Sequence, residues 1–179
     1  DDARGPRLRD EYLRHAARLS GASAALGGGE TSPAAAVLGV LERRLEAIRD
    51  AGSEELAHRL AEIEALFADE KDRAWHRRRA EALARRDRER RVRQAAIDAL
   101  DLLVAWVRDL WAVACGAGGA ALNCDRAAEL ERDAVARPEV YARLLALAAQ
   151  TRKDLLLNVD QKLALQAMFA RFEEVARSA

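Results

Sequence analysis

Cysteine and histidine are scarce in this sequence, with two of the first and three of the second among 179 residues. Cys115 and Cys124 cannot build the disulfide framework of a small secreted domain. They are expected instead as reduced, partly buried thiols of a cytoplasmic protein. His15, His58 and His76 lie far apart and give no zinc-ligand spacing, so no metal site is expected. Proline occurs only at Pro6, Pro33 and Pro138, each near an expected element start. Strand-favouring Val, Ile and aromatic residues are few, which argues against a sheet. Every apolar run is short or broken by charge, so no bilayer span and no membrane partner are expected.

Catalytic motifs are missing as well. There is no Gly-x-x-x-x-Gly-Lys-Ser/Thr phosphate loop, and Gly27-Gly28-Gly29, with no lysine after it, has the composition of a linker. Neither a Gly-x-Ser-x-Gly elbow nor a His-Glu-x-x-His pair occurs. The paired carboxylates Glu54-Glu55 and Glu173-Glu174 fall on expected solvent faces, where no pocket would tune them for acid–base work. The expectation is a non-enzymatic chain with no catalytic residue, no cofactor and no small-molecule substrate. It begins Asp1-Asp2, so further sequence, with any targeting segment, is expected upstream.

What is present is helix-forming material. Alanine fills 41 positions and leucine 25, both strong helix formers. Thirty basic residues balance thirty acidic ones, which removes any global attraction to polyanions. All but Lys71, Lys153 and Lys162 of the basic set are arginine, so arginine abundance alone is discounted as evidence for phosphate binding.

The expected fold is an all-α bundle of about six to seven helices. Residues 7–19 form a short amphipathic helix carrying Leu8, Tyr12 and Leu19, and the glycine-rich stretch Ser20 to Ser32 is a linker. This puts a boundary near residue 30, with the assembly domain over 31–179. Thr31-Ser32-Pro33 opens a helix whose face carries Val37, Leu38, Leu41, Leu45 and Ile48. Gly52 is expected to stop it, with Ser53 capping a second helix through Leu56, Leu60, Ile63 and Phe67. Asp69 can cap a new start, although a continuous helix through this point is also compatible with the pattern.

From Val92 to Cys115 the pattern is the most apolar in the chain, with Trp106, Trp111 and Val113 widening the stripe beyond one face. This is expected to be the central core helix, ended by Gly116-Ala117-Gly118-Gly119. Asn123 or Asp125 then caps a short helix to about Ala136. Pro138 opens another, running to Leu157, and Asp160 caps the last, residues 161–176.

Two stretches invite a binding role. Residues 71–93 hold eleven basic against four acidic residues, a local net of +7 that the rest of the chain cancels. Arg78, Arg85 and Arg88 are the candidates for weak DNA contact there, although only Trp75 offers a stacking surface. In the last helix Phe169 lies off the main stripe of Ala164, Leu165, Met168, Phe172 and Val175. An exposed aromatic there would make Leu165, Phe169 and Phe172 a candidate protein interface.

The second half also carries a family resemblance. Leu102-Leu103-Val104-Ala105-Trp106-Val107-Arg108-Asp109-Leu110-Trp111 and the glycine break after it resemble a segment of bacterial clamp-loader subunits. In that family a leucine-rich helix with an aromatic-x-Arg-Asp-Leu core precedes a Leu-Asn-x-Asp link, here Leu122-Asn123-Cys124-Asp125. Leu157-Asn158-Val159-Asp160-Gln161-Lys162-Leu163-Ala164-Leu165-Gln166-Ala167-Met168 resembles the family's final helix, with Asp160-Gln161 in place of its Asn-Pro. The match is best to delta-prime subunits of DNA polymerase III and covers roughly residues 90–176, with 53–90 matching by pattern alone. Ala17-Arg18-Leu19-Ser20-Gly21 resembles the end of the family's ATPase lid. The following Ala22-Ser23-Ala24-Ala25-Leu26 lacks the family's arginine, so no sensor role is carried over.

The resemblance implies a collar domain, a helical scaffold that joins other clamp-loader subunits side by side in a ring for loading the sliding clamp. ATP binding and clamp contact would belong to N-terminal domains absent from this chain. The alternatives are a basic-helix nucleic-acid module or a generic helical adaptor.

Overall fold

The computed structural model describes residues 10–11, 13–14, 33–157 and 159–177. Among them the chain is helical, without a strand. Among the described residues from Pro33 onward there are five α-helices: α1 (Pro33–Leu66), α2 (Glu70–Ala114), α3 (Ala127–Asp133), α4 (Pro138–Leu156) and α5 (Gln161–Arg177). Two 3₁₀ turns, Gly118–Ala120 and Cys124–Arg126, link α2 to α3. No described helix is long and apolar enough to cross a membrane. The expected helix over 7–19 is represented only by residues 10, 11, 13 and 14, which are helical, with Leu13 buried. Leu8, Tyr12, Leu19 and the boundary near residue 30 lie outside the described residues.

The all-α class is as expected, but the helices are fewer and longer, because the expected stop at Gly52 does not act and the basic stretch runs on into the helix expected from Val92. Gly52 lies inside α1, and Ser53 Oγ donates back to the Arg49 carbonyl at 2.9 Å instead of capping a new helix. A helical glycine costs only about 1 kcal/mol relative to alanine. A cost of that size does not interrupt a helix that continues on both sides of Gly52. Residues 70–91 join the apolar stretch from Val92 in one 45-residue helix, since nothing between them breaks a turn. Asp69 does start α2: its Oδ1 accepts the amides of Lys71 at 2.6 Å and Asp72 at 3.3 Å.

The end of α2 is a glycine-dependent Schellman turn. Gly116 has φ 76°, its N–H donates to Val113 at 2.9 Å, and Ala117 N–H donates to Ala112 at 2.8 Å. Pro138 sits in the first turn of α4. Asp160 caps α5, accepting the Leu163 amide at 2.9 Å. Neither Asn123 nor Asp125, the two expected caps, is the N-cap of α3; Arg126 stands there without a side-chain cap, and the Asn123 side-chain amide is directed to Asp109 instead.

The described residues form two compact units, one of residues 43–96 and one that joins residues 97–177 to the chain up to Glu42. The first is an antiparallel hairpin of α1 and α2, since Glu64 pairs with Arg73 and Arg77 near its closed end and Glu55 with Arg91 further along. Its interior is thin: Leu45, Ile63, Ala80, Val92, Ala95 and Ala96.

The second unit holds most of the core. Leu100, Leu103, Trp106, Val107 and Leu110 of α2 are buried, as are Tyr141, Leu144, Ala148 and Leu155 of α4. The apolar half of α2 is therefore the core element expected, but its stripe does not wrap the helix, because Trp111 is 39% exposed. Helix α5 packs on α4 and buries Leu165, Met168, Phe169 and Phe172. Ion pairs join elements at the rim: Arg152 to Asp101 at 3.1 Å, Lys162 to Glu42 at 3.0 Å, and Arg126 to Asp10.

Candidate functional site

Within the second unit the end of α2 is fastened to the link that follows it. Asp109 is 0% exposed, and a lone buried carboxylate is strongly unfavourable. It is satisfied by three donors: Leu122 N–H to Oδ1 at 2.9 Å, and Asn123 N–H and Nδ2 to Oδ2 at 2.8 and 2.7 Å. Arg108 Nη2 lies 3.2 Å from Oδ1 and donates to the Ala120 carbonyl at 2.8 Å. Arg108-Asp109 and Leu122-Asn123 belong to the two separate motifs named above, and they meet here as one hydrogen-bonded corner.

Beyond this corner, several of the exposed large apolar side chains fall close together in the sequence. Leu156 is 54% exposed, Leu157 76%, Val159 43% and Leu163 64%. These residues surround the turn from α4 into α5. Clustered large apolar side chains at a surface mark an interaction site more often than scattered ones do.

The expected interface is corrected by the same helix. Leu165, Phe169 and Phe172 are buried at 1, 2 and 1% exposure, and the rings of Phe169 and Phe172 meet edge to face at 6.2 Å. Phe169 follows Leu165 by four positions, so both look inward from the same side of α5. The buried arc is wider than the stripe read from the sequence. Leu163, on the other side, is the exposed one.

The cysteines are corrected too, since Cys115 and Cys124 are free and exposed. No group of three or more His, Cys, Asp or Glu side chains is arranged to hold a metal ion among the described residues.

In the hairpin, α1 and α2 enclose an open groove of about 870 Å³, lined in part by Gly52, Leu56, Arg59, Leu83, Asp87 and Arg88. Its carboxylates are engaged. Arg91 bridges Glu55 at 3.0 Å and Asp87 at 2.7 Å, Arg90 reaches Asp87 at 2.6 Å, and His58 lies 3.3 Å from Glu62. The hydrogen bond from Arg90 and the neighbouring Arg91 charge hold the Asp87 carboxyl below the usual carboxylate range. The bond to Glu55, with Asp87 beside it, raises Arg91 further. Arg59, Arg86 and Arg88 have no carboxylate partner among the described residues, so the groove favours anions.

The three candidate DNA-contact arginines are not alike. Arg85 is paired with Glu89 at 3.0 Å, Arg88 turns toward Gly52 in the groove, and Arg78 is exposed, donating only to its own helix at the Ala74 carbonyl. Sequence reasoning missed both the Asp109 corner and the leucine patch. Asp109 follows Trp106 by three positions on the inward side of α2, and an acid in that place was the available signal.

Fold and surface together define the class: a helical domain with a hydrogen-bonded corner and an apolar surface patch. No family model matches the chain, and no curated protein or solved structure matches it.

Proposed function

We propose that this chain is a non-catalytic assembly domain of a bacterial clamp loader. It would hold neighbouring subunits in a ring, as the collar of delta-prime subunits does, while the ring loads the sliding clamp in DNA replication. The observation that carries the reading is the exposed patch of Leu156, Leu157, Val159 and Leu163. It lies within and beside the stretch that resembles the family's final helix. The meeting of Arg108-Asp109 with Leu122-Asn123 supports the same reading, since two motifs that recur together have a physical reason to do so.

In this reading the chain takes no cofactor or small-molecule substrate, works in the cytoplasm, and functions through contact area. Burying one large apolar side chain contributes about 1.5–3 kcal/mol. Side chains of this kind form the water-excluding core of an interface within a polar rim.

The test is co-purification of the chain, in its full-length context, with clamp-loader ATPase subunits. Leu157→Asp with Leu163→Asp is expected to lose the partners while helix content and thermal melt stay unchanged. A wild-type protein that retains none of these subunits would overturn the proposal.

A further inference from the structure

The basic residues of α2 are not equally neutralised. Arg73, Arg77, Arg85, Arg90 and Arg91 each have a carboxylate partner within 4.0 Å. Lys71, Arg78, Arg79 and Arg86 have none among the described residues, and all four are exposed. At about 100° per residue, Lys71, Trp75, Arg78, Arg79 and Arg86 fall within a stripe about 100° wide. The side of α2 that meets α1 carries Arg73, Ala80, Ala84 and Asp87, so Lys71, Trp75, Arg78 and Arg79 look outward from the hairpin, and Arg86 stands at the edge of the stripe, where it also borders the groove. Lys71 and Arg86 are fifteen residues apart, or about 22 Å along the helix.

Trp75 stands within that stripe. A tryptophan is on average well buried, although seldom completely, yet this one is 54% exposed. The Arg79 guanidinium lies over its ring, 5.3 Å from the centroid. His76 meets the ring edge-on at 4.7 Å and itself stacks on Phe67 at 4.0 Å. The indole is therefore braced from its own helix while much of it stays open. An open aromatic ring amid unpaired cations has the two parts of a single-strand site: a surface on which a base stacks and charges that follow the backbone.

We propose that the face of α2 from Lys71 to Arg86 binds single-stranded nucleic acid. Trp75 stacks on a base, and Lys71, Arg78, Arg79 and Arg86 contact phosphates. Paired bases in a duplex cannot reach the indole, so a single strand gains what a duplex does not. A lipid surface would need a band of apolar side chains, and the stripe offers only Trp75 and Ala82. This inference does not depend on the collar reading.

The experiment uses the whole chain and fluorescein-labelled oligothymidylate, with anisotropy read from about 50 mM salt upward. Four phosphate contacts on a single strand predict a slope of log affinity against log salt near −3, about −0.7 for each. Arg78→Gln with Arg86→Gln is expected to reduce that slope by about 1.4. Trp75→Ala is expected to weaken binding roughly 5- to 150-fold without changing the slope, and Trp75→Phe to restore most of the loss. A duplex of the same length and heparin should bind with no dependence on Trp75. Unchanged oligothymidylate affinity in Trp75→Ala would overturn the proposal. So would a slope indifferent to the two arginines, or binding to phosphatidylserine vesicles but not to oligothymidylate.

Discussion

Asn123 gives both its backbone N–H and its side-chain amide to a single oxygen of the buried Asp109, at 2.8 and 2.7 Å. One residue thus supplies two of the three donors that make an interior charge tolerable. Removing the carboxylate leaves those donors buried without an acceptor. Asp109→Ala is expected to lose about 3–5 kcal/mol, the range for deleting one partner of a buried charged contact. Asn123→Ala, which keeps the backbone bond, should lose about 1–3 kcal/mol. Urea titration checks both, and a loss below about 0.5 kcal/mol in Asp109→Ala would show the corner to be dispensable.

Phe169 belongs to the core, so Phe169→Ala should cost about 3–5 kcal/mol in the isolated chain. The thermal melt decides it. A variant that melts with the wild type would return Phe169 to the surface.

Two glycines should respond in opposite directions. A Cβ at Gly52 would meet the Arg88 side chain at 3.8 Å, an ordinary contact, and the backbone there is helical. Gly52→Ala should therefore stabilise the chain by about 0.5–1 kcal/mol. Gly116 has space around it but a φ of 76°, so Gly116→Ala should cost about 1–2 kcal/mol. Paired denaturation curves test the contrast, which fails if both changes share a sign.

Alkaline pH should act on Tyr141. Its ring is buried, and burial pushes the phenol above its ordinary value near 10. The Ala136 amide, which donates to the hydroxyl at 3.1 Å, works the other way and offsets only part of the burial effect. Folding thus favours the neutral phenol, and this contribution is complete below the unfolded pKa of about 10. It is lost as pH rises through the folded value. Tyr141→Phe should be less stable at neutral pH by about 0.5–1.5 kcal/mol and should flatten the decline above pH 10. Melts between pH 8 and 11 measure it, and parallel curves for the two proteins would contradict the assignment.

Local chemistry was legible in the sequence where a residue acts on its immediate neighbours. Asp69, Asp160 and Pro138 start helices because a cap or a fixed φ needs only the next turn. The inward stripe of α2 was legible because Leu100, Leu103, Val107 and Leu110 repeat at helical spacing. Gly52 misled because a cost of about 1 kcal/mol is small enough for a helix to run through a single glycine. Phe169 misled because a buried arc has two edges, and periodicity locates its centre better than its limits. The free cations of α2 could not be separated from the paired ones, since a partner such as Glu55 stands thirty-six residues from Arg91.

The Asp109 corner also bears on the order in which the chain folds. Its contacts span only thirteen and fourteen residues. Loops of about ten residues close in about 10–100 ns, and a closure this short carries a small entropy cost. The corner can therefore form at the end of α2 before α4 and α5 arrive. Its loss should slow refolding more than it hastens unfolding, whereas Phe169→Ala should do the reverse. Stopped-flow refolding of the two variants would reveal that sequence of events, and equal effects on both limbs would deny it. The chain would thus carry a local starting point for its own assembly.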